Sequence, residues 1–214
     1  LDANTTGSSN VSAGHGSLSG NTDGDYNVAF GDSALNGNTT ASSNTAIGYY
    51  ALSANTTANN NTALGANALK VNTTGTSNTA VGQNALDANT TADNNTAIGR
   101  LSLSGNTTGA SNTALGSNSL YSNTTASSNT AVGYQALYTN TTGDNLVAVG
   151  DRALTANTTG TMNTGIGVQA GGNTTTGSAN TSVGMQALFT NTTGAANTAI
   201  GKDALRANTT ASDN

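Results

Sequence analysis

The side chains able to do chemistry are few. His15 is the sole histidine, and the chain has no cysteine. A Ser-His-Asp arrangement could be drawn through His15. Acyl transfer, however, needs nucleophile, base and orienting carboxylate converging on one pocket, and nothing around His15 is unique enough to imply one. His15 fills a slot that elsewhere holds Asp32, Tyr49, Ala66 and Gln83, so it reads as an exposed variable position. Asp23-Gly24-Asp25 offers two carboxylates to Ca²⁺ but lacks the remaining ligands of a calcium loop and the Gly-Gly-x-Gly-x-Asp repeat of calcium β-rolls. Tyr49, Tyr50, Tyr121, Tyr134 and Tyr138 could form a sugar-binding patch, or simply cover apolar surface. The commonest chemistry is Asn-Thr-Thr, an Asn-x-Thr acceptor for N-glycosylation. It recurs at Asn4, Asn38, Asn55, Asn72, Asn89, Asn106, Asn123, Asn140, Asn157, Asn173, Asn191 and Asn208. No metal, cofactor or catalytic residue is expected, and the chain does not read as an enzyme.

The elements that carry these residues follow from one period. Every seventeenth position from Gly14 to Gly201 is a glycine, through Gly31, Gly48, Gly65, Gly82, Gly99, Gly116, Gly133, Gly150, Gly167 and Gly184. A fixed period of this length is the signature of a repeat architecture, so residues 1–214 read as a single array, a window of a longer fibre. Charged residues make up only 7% and the net charge is −5. The five basic residues are scattered, which argues against a nucleic-acid partner. No apolar run is long enough to span a bilayer, and no membrane contact is expected within the segment. Strict phase argues against disorder despite the low-complexity composition.

Each unit reads roughly Asn-Thr-Ala-(Ile/Val/Leu)-Gly-x-x-Ala-Leu-x-x-Asn-Thr-Thr-(Gly/Ala)-x-x. Asn, Thr and Gly are poor helix formers. The triplet before the glycine alternates and is β-branched, which suits a short strand. The expectation is an all-β chain of about twelve coils, a parallel β-roll or β-solenoid with one period per coil. Two ladders of large aliphatics are expected to fill its interior: the residue before the glycine (Ile47, Leu64, Val81) and the leucine that follows it within the same unit (Leu52, Leu69, Leu86). The glycines are expected to be structural, through positive φ or close packing. At Gly171 the leucine is missing, which predicts a local gap. The recurring asparagines could stack as side-chain ladders. Alternatively, the Asn-Thr-Thr edge, nearly invariant along the chain, could be a surface-binding or glycan-bearing edge, at Asn38, Asn55, Asn72, Asn89, Asn106, Asn123, Asn140, Asn157, Asn191 and Asn208. The slots just after the glycine, such as Tyr49-Tyr50 and Tyr134-Gln135, vary freely and should face solvent.

Two aliphatics per coil make a thin core. Their burial contributes less than the backbone entropy lost in ordering the whole unit. Hydrogen-bond ladders and buried alanine must narrow that difference. Sharing a face with other copies would narrow it further, so an oligomer is expected.

The stretches Asn60-Asn61-Thr62-Ala63-Leu64-Gly65 and Asn94-Asn95-Thr96-Ala97-Ile98-Gly99 resemble the Asn-Ser-Val-Ala-Ile-Gly head repeat of the YadA-like trimeric autotransporter adhesins. The whole unit, as at residues 129–143, also looks like repeats of phage tail fibres and related bacterial surface fibres. The family's head repeat is typically shorter than the period found here, so the extra residues around Asn-Thr-Thr should enlarge the outer loop. The resemblance implies a left-handed parallel β-roll assembled as a homotrimer, outside the cell or on a virion. Its implied role is structural or adhesive, with a host-surface glycan or protein as further partner. The alternative from another class is a monomeric ligand-binding solenoid such as an ice-binding protein; a glycan-coated extracellular filament is a third reading.

Overall fold

The computed structural model describes residues 2–214. The chain divides into two compact units, the first ending at Thr108 and the second spanning Gly109–Asn214. The first holds β1 (Val11–Ala13), β2 (Val28–Phe30), β3 (Thr45–Ile47), β4 (Thr62–Leu64), β5 (Thr79–Val81) and β6 (Thr96–Ile98). The second holds β7 (Thr113–Leu115), β8 (Thr130–Val132), β9 (Val147–Val149), β10 (Thr164–Ile166), β11 (Thr181–Val183) and β12 (Thr198–Ile200). Within each unit every strand pairs in parallel with the next, in register and one period on, as in Ala46↔Ala63 and Ala131↔Ala148. Each unit is therefore a β-solenoid with one sequence repeat per coil, as the period implies.

Four backbone positions close each coil. The glycine after the strand has a strongly positive φ (Gly48 138°, Gly65 133°, Gly82 136°, Gly99 132°, Gly116 136°, Gly133 132°). A Cβ at Gly48 would lie 2.5 Å from the carbonyl oxygen of Gly65, and one at Gly65 or Gly82 would lie 2.6 Å from the next glycine's oxygen. Positive φ and carbonyl contact together leave glycine alone acceptable there. The other three are left-handed corners built on ordinary residues. One stands two after the glycine (Tyr50, φ 53°), one at the leucine (Leu52, φ 52°; Leu69, φ 51°; Leu86, φ 54°) and one five before the next glycine (Asn60, φ 62°). A left-handed residue costs on the order of 1–3 kcal/mol, comparable with the roughly 1.5–3 kcal/mol that burying a leucine contributes. Hydrogen bonds on both sides hold the leucine corner: Leu52 N–H donates to the Ala68 carbonyl at 2.9 Å and Leu52 C=O accepts from Asn55 N–H at 3.3 Å.

The interior corrects the expected core. The leucine ladder is fully buried, Leu52, Leu69 and Leu86 included, but the aliphatic before the glycine is not its partner. Strand residues alternate faces, and it is the middle alanine (Ala46, Ala63, Ala80, Ala97) that points in. Ile47, Leu64 and Ile98 point out. The physical reason is width: one leucine and two alanines already pack together in the interior of a coil, as Leu188 does with Ala187 and Ala199, and the remaining buried slots hold asparagine and a small residue such as Ala58 or Gly75.

Candidate interaction faces

The Asn-Thr-Thr asparagines, Asn4 and Asn173 apart, are inside the coil. Asn38, Asn55, Asn72, Asn89, Asn106, Asn123, Asn140, Asn157 and Asn191 are fully buried, and Asn208 is half-buried. Asn55 Nδ2 donates to Asn38 Oδ1 (2.9 Å) and to the Ala58 carbonyl (3.0 Å). Asn72 repeats this onto Asn55 (3.3 Å) and Gly75 (2.9 Å), Asn89 onto Asn72 (2.8 Å) and Ala92 (3.0 Å), and Asn140 onto Asn123 and Gly143 (3.0 Å each). Both amide hydrogens of such a side chain are committed. The reading of these asparagines as a surface-binding or glycan edge is therefore corrected: a buried amide nitrogen with no free hydrogen offers nothing to a ligand and no room to a sugar.

A second buried ladder runs beside the first, on the asparagine before each strand except β9, where buried Leu146 takes the slot. Asn61 N–H donates to Asn44 Oδ1 (2.9 Å), and Asn61 Nδ2 donates to the Gly75 carbonyl (2.9 Å). Gly75 C=O thus accepts from two ladders at once, from Asn61 and Asn72. Of the two threonines after each ladder asparagine, the first binds the next coil, as Thr39 Oγ1 to the Thr56 carbonyl (3.1 Å), and the second, Thr40, Thr57 or Thr74, is exposed. Asn and the second Thr do not share a face, because this segment turns instead of running as a strand.

The outward strand face presents two parallel rows. One is the aliphatic row: Ile47 and Leu64 are 38% and 44% exposed, Ile98 37%, and Leu115 and Ile166 43% and 40%. The other is the threonine two residues earlier, Thr45, Thr62, Thr79 and Thr96, half-buried. The chain offers its apolar surface here one large side chain per coil. Sequence reasoning placed this row inside; the alternation of the triplet was visible, but not which side was the interior.

The remaining candidates are surface features. His15 is exposed and 3.8 Å from Asp32. Asp23 Oδ1 accepts the hydroxyls of Thr6 (2.7 Å) and Thr5 (2.9 Å), which hold its carboxyl below the usual range, and Asp25 Oδ1 accepts the N–H and hydroxyl of Ser8. These carboxylates brace the preceding coil. Tyr121 and Tyr138 stack at 5.1 Å, Tyr49 and Tyr50 meet edge to face, and Arg152 lies over Tyr134. Among the described residues there is no cavity. The gap expected at Gly171 is absent because Leu154 leans into it: a Cβ built at Gly171 would meet Leu154 Cδ2 at 2.7 Å. The same coil carries Thr174 where the others carry the ladder asparagine, and its buried Oγ1 has no hydrogen-bond partner.

Comparison of the chain with protein-family models, curated proteins and solved structures finds no match.

Proposed function

We propose that the chain is a structural and adhesive segment of an extracellular homotrimeric fibre, on a bacterial surface or a virion, and has no catalytic role. The observation that carries this reading is the exposed aliphatic row Phe30, Ile47, Leu64 and Ile98, with Leu115 and Ile166 in the same slot of the second unit. A regular row of large apolar side chains facing water marks an interaction surface. A partner with the same period matches it coil for coil, and a second copy of this chain has that period. The number three and the left-handed coiling come from the resemblance to YadA-like head repeats. Contacts to a host-surface glycan or protein would be weak individually and gain by repetition along the fibre. Nucleic acid and membrane are not among the partners of this segment.

Light scattering tests the assembly. The expected mass is three times the 20.8 kDa chain. Ile47→Lys with Leu64→Lys and Ile98→Lys is expected to release monomers, because each lysine would carry an unpaired charge into the interface. A stable β-rich species of one chain's mass would overturn the reading. A second reading, the ice-binding monomer, is favoured by Thr45 and Ile47, which stand on the same face and repeat with every coil. Monomeric mass together with thermal hysteresis of freezing would select it.

A further inference from the structure

Five residues before each glycine, and two before the strand, the chain turns a left-handed corner whose side chain points away from the coil. Ser43, Asn60, Ser77 and Asn94 occupy it with φ of 60°, 62°, 57° and 60°. The same slot holds Tyr26 and Met162, which are 65% and 60% exposed. Large side chains at this corner run into solvent without entering the packing. Asparagine is among the residues that accept the left-handed conformation most readily. In two coils the corner asparagine is followed two residues later by threonine: Asn60-Asn61-Thr62 and Asn94-Asn95-Thr96. Both are Asn-x-Thr acceptors, distinct from the more frequent Asn-Thr-Thr. A third arises from the irregular coil, where the asparagine comes one residue early: Asn173-Thr174-Thr175. Asn60, Asn94 and Asn173 are exposed, and no hydrogen bond engages their side-chain amides among the described residues. The threonine hydroxyls that complete these acceptors belong to half-buried Thr62, Thr96 and Thr175.

We propose that Asn60, Asn94 and Asn173 are acceptor sites for N-linked sugar, and that the buried Asn-Thr-Thr asparagines are not. The inference rests on the extracellular reading, since the sugar would be added on the way to, or at, the cell surface. In the transfer, the side-chain amide nitrogen attacks the anomeric carbon of an activated sugar. The N–C1 bond forms as the bond from C1 to the donor's phosphate oxygen breaks. The amide proton passes to a base of the transferase, and the leaving group is the nucleoside diphosphate of a nucleotide sugar or the lipid pyrophosphate of a lipid-linked donor. At Asn60 and Asn94 the product would occupy the solvent already reached by Tyr26 and Met162 at the equivalent corners. At Asn55 or Asn72 it would displace an interior hydrogen bond on each side.

The 214-residue chain, secreted from a eukaryotic host, would be digested and mapped by mass spectrometry after enzymatic removal of glycans in heavy-oxygen water. Occupancy is expected at Asn60, Asn94 and Asn173, and none at Asn55, Asn72, Asn89 or Asn140 in the folded, β-rich fraction. Asn60→Gln, Asn94→Gln and Asn173→Gln should each remove one glycan, leaving circular dichroism and oligomeric mass unchanged. Should secretion fail, the purified chain is incubated with a soluble asparagine glucosyltransferase and UDP-glucose, and each added hexose is mapped directly as a mass increase on its peptide. Folded protein glycosylated at the buried asparagines, or bare at Asn60, Asn94 and Asn173 by either route, would overturn the proposal. The oligomeric mass of the unglycosylated triple variant is read separately, so loss of the trimer would count against the fibre reading and not against the acceptor sites.

Discussion

Asn72 shows how much a single polar side chain carries in this interior. It donates to Asn55 Oδ1 and the Gly75 carbonyl, and its own Oδ1 accepts from Asn89. Asn72→Ala strands the Asn55 oxygen and one Asn89 hydrogen; Gly75 keeps its bond from Asn61. At about 1–3 kcal/mol per buried group left unpaired, the variant should lose roughly 2–6 kcal/mol in denaturant unfolding. Thr174→Asn is the converse: it replaces an unpartnered buried hydroxyl with the group the other coils use, and should raise stability by about 1–3 kcal/mol. If Asn72→Ala were neutral, the ladder would be ornamental. Asp87 gives a pH signature. Burial raises its carboxyl above the ordinary range, against the opposing pull of a backbone hydrogen bond and Lys70. The folded state then binds its proton more tightly than the unfolded state, so this group's contribution falls as pH rises through the interval between the ordinary and the raised value. Asp87→Asn should raise the melting temperature at neutral pH, with the difference shrinking as pH drops into the carboxylate range. A difference that grows on acidification would mean the sign is wrong.

At the scale of the coil, the sequence announces the elements well and their orientation poorly. The glycine phase located each strand, because Gly48 or Gly65 tolerates no Cβ against the next coil's carbonyl. The leucine ladder was legible because one large apolar residue returns at a fixed place. The strand triplet was ambiguous: alternation puts Thr45 and Ile47 on one face and Ala46 on the other, and hydrophobicity favours burying the isoleucine. Interior width decided otherwise, and width is set by how corners and asparagines close the coil, which no single triplet records. The asparagine ladder was legible from its register and is present as stacked side chains; the alternative of a surface edge fails because a polar residue is usually outside unless, as here, every amide hydrogen is satisfied. The irregular coil tests this view of the interior. Gly165 stands in the alanine slot and Gly171 in the leucine slot, and Leu154 uses the space of both: added Cβ atoms would meet its Cγ at 2.8 Å and its Cδ2 at 2.7 Å. Gly165→Ala alone should therefore destabilise, and Gly171→Leu alone should gain little. Together they force Leu154 back to the position its counterparts hold, and Gly171 already has the left-handed φ of 58° that the leucines adopt. The double variant should exceed the sum of the singles by about 0.5–3 kcal/mol, the range for residues sharing one cavity. Additive singles would show that Leu154 does not couple the two sites.

For the whole molecule, the decisive property is translation by one period. The hydrogen bonds of β3 to β5 connect each coil to its immediate neighbours, as Thr45 N–H to Asn61 C=O, Thr62 N–H to Asn78 C=O and Thr79 N–H to Asn95 C=O. Stability in such an array is approximately a sum of coil terms and nearest-neighbour terms. Deleting residues 66–82 removes one full period and joins Gly65 to Gln83, so every later residue meets the neighbour its predecessor met. The interior receives leucine, alanine and asparagine in the same order, and the aliphatic row loses one member without a break. This variant should fold with the parent's β-sheet spectrum and oligomeric state, and a modestly lower melting temperature. Deleting residues 66–81 instead leaves a remainder of one residue. The strand would turn its faces over at the junction, setting Ala97 opposite outward Leu64 and Thr96 opposite inward Ala63, and drawing Asn95 out of register with the ladder at Asn61. Circular dichroism and limited proteolysis should find the shorter deletion disordered or cleaved near the junction and the full-period deletion intact. Equal tolerance of both would mean that backbone pairing alone holds the coils, and that the asparagine and leucine ladders do not set the register.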